Sequence, residues 1–182
     1  MKPGGTKTRR TRPKSAAEEA STTARIPTSE SLLKTLLGKR WSYLHTEYSA
    51  AQEGKYPGVY VLAYADRELK NEPIEVKDIF YVGMSHAGVV KRLKQFVKGL
   101  DENKYHSAAR RFFRTKANGV PFSQLEPKKT FYFASVSVPC IVQKELRTPA
   151  DLRKMGEVAK CEYVVLAHVK ERLGQEPKLN LK

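Results

Sequence analysis

Glu162 stands where a helix would be expected to bury an apolar side chain. In a helix over about 149–172, Met155, Val158, Val165, Leu166 and Val169, with Leu173 just beyond, gather into one stripe at about 100° per residue. Glu162 falls near the middle of that stripe. An ionised carboxylate there is costly unless it is paired or binds a cation. Two chemistries answer this: a buried ion pair, or a ligand to a hard divalent cation, which takes carboxylate oxygens and keeps several waters. Glu157 and Glu171 lie off the stripe, where surface carboxylates belong. Arg92 is the second candidate. In a helix over 88–100, Val89, Leu93, Phe96, Val97 and Leu100 form an apolar arc with Arg92 at its edge. That position lets the arginine stem pack while the guanidinium reaches a cleft. A further helix over 104–116 sets Tyr105, Ala108, Ala109 and Phe112 on one face and Arg110, Arg111 and Arg114 on the other. Such a basic face either contacts phosphates or is simply solvated. His106, early in that helix, is close enough in sequence to reach the same cleft.

The elements that must position these residues alternate in type. Thr28 or Ser29 caps a helix in which Leu32, Leu33, Leu36 and Leu37 recur at helical spacing, and Gly38 stops it. Trp41, Tyr43, Leu44 and Tyr48 continue an apolar segment that packs on the core, with His45 an ordinary histidine. Gly54 and Pro57-Gly58 mark a turn. A strand over 59–65 alternates Tyr60, Leu62 and Tyr64 on one face with Val59, Val61 and Ala63 on the other. A polar link follows, then a second strand over 79–83, with antiparallel pairing the simplest connection. A third strand covers 130–138. Thr148-Pro149 opens the last helix, with proline early as a helix start allows.

Composition bounds the partners. The 182 residues suffice for one domain with an appendage and a buried core. A formal net charge of +15 predicts attraction to polyanions, nucleic acid above all. Residues 1–27 carry seven Lys/Arg, two acids and almost nothing large and apolar, so burial cannot offset the entropy of ordering them. They read as a basic tail, either an arm tracking DNA or a solvated segment. Residues 28–57 read as a helical extension and 58–182 as the main domain. Cys140 and Cys161 are the only cysteines, and no apolar run nears the ~20 residues of a membrane span. A reduced, cytoplasmic, non-membrane protein is expected.

The words Gly58-Val59-Tyr60 and Tyr81-Val82-Gly83, followed by helix Arg92, a third strand, helix Glu162 and Pro177-Lys178-Leu179-Asn180, occur in an order that resembles the GIY-YIG nuclease family. The resemblance spans residues 58–180. It implies an α/β (α+β) domain with a small three-stranded antiparallel sheet flanked by helices, acting as a metal-dependent DNA endonuclease of restriction or stand-alone type. It further implies that Glu162 holds one Mg²⁺ or Mn²⁺, that Arg92 meets a non-bridging phosphate oxygen, and that Tyr60 activates the water or lies next to it. Tyr81 would hydrogen-bond nearby and Asn180 would fix backbone around the site. DNA contacts are expected from Lys91, Arg110, Arg111 and Arg114. Two departures stand out. The link between Tyr60 and Tyr81 is about twice the usual family length, so the hairpin carries an insertion. Phe96 also occupies the place where some members have a histidine, a role that falls to His106 or to no residue. The competing readings are a non-catalytic nucleic-acid binder that keeps the fold, and a basic structural or ribosome-associated protein.

Overall fold

The computed structural model describes residues 26–50, 52–125 and 129–180, so the expectation for the tail at 1–27 lies almost wholly outside the described residues. Helix α1 (Ser29–Leu37) starts where Thr28, one of the two caps the sequence offers, accepts a hydrogen bond from the Ser31 amide. Strand β1 (Ser42–Tyr43) and the single helical turn α2 (Leu44–Glu47) follow. Strands β2 (Gly58–Ala65) and β3 (Tyr81–Ser85) form the hairpin. Helices α3 (Val89–Glu102) and α4 (Ser107–Thr115), strand β4 (Thr130–Ser137) and the long helix α5 (Pro149–Leu173) complete the chain. Thr148 and Asp151 close a reciprocal capping box at the start of α5. None of the described helices is long and apolar enough to cross a membrane.

The antiparallel sheet has four strands in the order β1-β4-β2-β3, not the three expected. The extra strand is only two residues long, too short for a period-two pattern to show. Its Tyr43 stacks on Tyr132 of β4 at 5.4 Å between ring centroids. The alternation read for β2 holds. Val59, Val61 and Ala63 pack with α1, Trp41 and the Val158, Cys161, Val165 and Val169 face of α5. Tyr60 and Leu62 pack on the other side with Leu93 and Phe96 of α3 and Phe112 of α4. The result is three layers, with α1 and α5 on one face of the sheet and α3 and α4 on the other. Because Leu32, Leu36 and Trp41 share a core with Val59 and Val165, the segment 28–57 belongs to the body of the fold. Ser29 ties it down further, its amide donating to Glu157 Oε2 at 2.7 Å; the sequence had placed Glu157 at the surface.

Two element starts differ from expectation, each for a local reason. Strand β3 begins at Tyr81 instead of residue 79, because Ile79 terminates a 3₁₀ turn over Val76–Asp78. The hairpin insertion is anchored: Trp41 and residues 71–72 exchange backbone hydrogen bonds, and Leu69 and Ile74 enter the core. Helix α4 starts at Ser107 instead of residue 104, because Asn103 and Tyr105 both take positive φ, 53° and 65°. Tyr105 therefore does not share the buried face of Phe112 but stands 57% exposed.

Candidate active site

The YVG glycine has a steric cause. Tyr60 pairs across the hairpin with Gly83, and a Cβ there would sit 2.7 Å from the Tyr60 hydroxyl and 2.7 Å from Tyr81 Cε1. Only glycine lets the Tyr60 phenol lie across β3. Tyr81 is on the same face of the sheet, its ring centroid 6.0 Å from that of Tyr60.

Tyr60 is fully buried, and its hydroxyl lies 2.8 Å from Nε2 of His106, also fully buried. His106 is the N-cap of α4, and its Nδ1 accepts from the Ala108 amide at 3.2 Å. That bond fixes the tautomer. With Nδ1 accepting, the neutral ring carries its proton on Nε2 and donates it to the Tyr60 oxygen. Phe96 packs edge-on against the His106 ring, centroids 5.1 Å apart. His106 therefore meets Tyr60 from the N-cap of α4, with Phe96 as the apolar wall beside it. Burial, with Arg92 adding to it, pushes the His106 pKa down to about 3, so the ring stays neutral.

Burial raises Tyr60 well above the ordinary phenol range, and the neighbouring Tyr81 adds to this while Arg92 opposes it. Burial raises Tyr81 as well, with Glu162 adding and Arg92, the Tyr60 hydroxyl and Arg111 opposing. His106 thus donates to Tyr60, and Tyr81 stands beside them. Tyr60 was expected beside the water; instead it is sealed, and the half-buried Tyr81 is the outer member of the pair.

Glu162 is half-buried. Cys161 occupies the buried stripe between Val158 and Val165, so the carboxylate sits at the stripe's edge and not in its middle as the sequence suggested. The wheel reading had passed over this small apolar residue. Burial raises the Glu162 pKa, opposed by the Met84 backbone and the Arg92 charge. The two helical layers can meet here because β3 is the outer strand. Along its free edge Val82 exchanges two hydrogen bonds with the Asn180 side chain, at 2.8 Å and 2.9 Å. Met84, two residues on and facing the same edge, interacts with Glu162. Asn180 is thus a backbone-fixing residue that mimics a further strand, with both groups of its amide satisfied.

Arg92 Nη1 donates to Gln95 Oε1 at 3.2 Å. Its charge bears on Tyr60, Tyr81, His106 and Glu162 alike. A cavity of about 360 Å³ opens beside it, lined by Met84, Ser85, His86, Lys91, Arg92 and Gln95 among others. Of the predicted residues, Arg92 and Lys91 line this cavity; His86 and Gln95 are additions that spacing from Arg92 alone did not signal. Arg110 and Arg114 are exposed on α4 as expected, whereas Arg111 is half-buried and donates to the Leu179 carbonyl at 2.6 Å. Arg111 therefore anchors the segment that carries Asn180, and the outer basic surface is left to its two neighbours.

The donor set bears on which cation would suit the site. Among the described residues no three His, Cys, Asp or Glu side chains gather as a ligand cluster. Glu162 offers a single half-buried carboxylate and does not itself line the cavity beside Arg92, so any cation held there would keep most of its coordination as water or other oxygens. Comparison with known proteins assigns no family: no family model, curated protein or solved structure matches this chain.

Proposed function

We propose that the protein is a metal-dependent endonuclease of the GIY-YIG type that hydrolyses phosphodiester bonds in DNA. One observation carries this reading: side chains from five separate elements (Tyr60, Tyr81, Arg92, His106 and Glu162) interact around the end of one edge strand. A fold needing only stability has no reason to bring a desolvated carboxylate, an arginine and a sealed tyrosine–histidine pair together.

Glu162 would hold the divalent ion, which supplies charge neutralisation at the scissile phosphate. Arg92 offers a planar, permanently charged fork to a non-bridging oxygen as negative charge develops there. Tyr81 orients the attacking water through its hydroxyl. Tyr60, held by the His106 Nε2–H, packs against Tyr81 and helps fix its ring in place. His106 is a donor in this chain and not a base, because its only other nitrogen is occupied by the Ala108 amide. Lys91, Arg110 and Arg114 attract the DNA backbone.

Incubating the protein with supercoiled plasmid, with and without Mg²⁺, tests the reading: nicked or linear product is expected only with the ion. Glu162→Gln should abolish cleavage while DNA binding survives, and near wild-type cleavage by that variant would remove the metal-ligand assignment. The complete burial of Tyr60 favours a second reading, a DNA binder that keeps the fold without chemistry, which predicts binding with no cleavage under any ion.

A further inference from the structure

We infer that the phosphate backbone of the bound duplex leaves Arg92, passes Lys91 and seats in a second, lysine-lined cavity formed by Lys55, Lys91 and Lys94. This rests on the nuclease reading and deepens it by naming the track on which the DNA lies. The second cavity, of about 490 Å³, is lined by Ser49, Gly54, Lys55, Gly88, Lys91 and Lys94 among others. It shares Ala87 and Lys91 with the cavity beside Arg92, so the two form one continuous depression.

Its charge is unbalanced. Among the described residues no acidic side chain lines either cavity. Other lysines of the fold, such as Lys70 with Glu47 and Lys77 with Glu75, are ion-paired. Among the described residues Lys55, Lys91 and Lys94 have no such partner; Lys55 Nζ lies over the Tyr56 ring, 5.1 Å from its centroid. Three unpaired ammonium groups around one concavity repel each other until an anion is present. Lys91 and Lys94 lie one turn apart on α3, roughly 4.5 Å along its axis. The row of cations suits successive phosphates better than a single small anion.

The wall is also built with care for close approach. Gly54 abuts Val90 with no room for a Cβ, and Gly88 takes φ +110° with its Cβ position 2.7 Å from the Lys55 carbonyl. The Val89 amide donates to the Tyr56 carbonyl at 3.2 Å. Lys55 is thereby held against the start of α3 by backbone packing, so its charge is delivered to the same place as those of Lys91 and Lys94. Arg110 and Arg114, by contrast, line neither cavity.

The test compares Lys55→Gln/Lys94→Gln with Arg110→Gln/Arg114→Gln, both at exposed positions, by fluorescence anisotropy on a duplex across a salt series and by single-turnover cleavage at saturating DNA. The lysine pair should lower affinity and make the log K against log salt slope shallower by about 2. The saturated cleavage rate should stay at the wild-type value, and the arginine pair should change the slope less. Wild-type DNA binding with an unchanged slope in the lysine variant overturns the track, as does a larger change from the arginine variant. A wild-type protein that binds duplex without cutting it sinks the nuclease reading alone, since the slope comparison still decides the track. One that neither binds nor cuts sinks both.

Discussion

Arg92 and His106 face the same tyrosine with opposite tasks. On the proposed nuclease reading Arg92 would present two prongs to phosphate, so Arg92→Lys preserves attraction but loses the fork. We expect its single-turnover rate to fall by roughly 10²-fold or more, with DNA affinity little changed, because one contact among many cations is a small share of the total. Normal turnover with weakened binding would make Arg92 a mere phosphate clamp. His106 must stay neutral. Its folded pKa of about 3 lies below the ordinary 6.5, so the unfolded chain binds the extra proton first. Its contribution to stability is complete above 6.5 and is lost as pH falls from 6.5 toward 3. The loss should reach about 3 kcal/mol by roughly pH 4. Urea unfolding across this window should show that wild-type stability drops more steeply than that of His106→Gln. Parallel curves would mean that the ring is not held neutral by the fold.

At the scale of elements, the junction between α3 and α4 is the strained part. The His106 amide donates to the Lys104 carbonyl at 2.7 Å across Tyr105, whose φ is 65°. This is a three-residue turn of the rare positive-φ kind, and an aromatic residue at its centre costs of order 1–3 kcal/mol. The strain aims His106 at Tyr60. Gly99 permits the tight return, since a Cβ there would meet the Lys104 carbonyl at 2.7 Å and Ala109 Cβ at 2.8 Å. Tyr105→Gly removes the strain at some cost in unfolded-state entropy, and the net gain should be about 1 kcal/mol in thermal unfolding. A destabilised Tyr105→Gly protein would show that the exposed ring, over which Lys98 Nζ lies at 5.8 Å, contributes more than its backbone costs.

For the whole molecule the net charge of +15 favours encounter with polyanions, and on the proposed nuclease reading it would govern encounter with DNA more than any single residue does. Removing residues 1–25 takes away seven basic and two acidic side chains while leaving Thr28 to cap α1. The truncated protein should melt as the full chain does. It should bind duplexes of any sequence more weakly, with a shallower salt dependence. An unchanged slope would show that this segment does not touch phosphate.

What the sequence by itself determined is whatever a short window encodes. The alternation of Val59 to Ala63 assigned both faces of β2, Thr28 and Thr148 marked two helix starts, and Arg92 and Glu162 stood out against the apolar residues around them. These signals are local because capping, alternation and helical periodicity act within a few residues. Only the tertiary structure could decide the rest. Tyr60 meets His106 from 46 residues away, and Asn180 reaches Val82 from 98 residues away. No periodicity links such pairs. The two residues of β1 are too few to show a pattern, and they become a strand only because Tyr43 finds Tyr132. The His106 tautomer depends on an amide donor at Ala108, which exists only because two positive-φ residues delay the start of α4. Arg111 reads on a wheel like Arg110 and Arg114, and the docking of Leu179 beside α4 is what separates it from them.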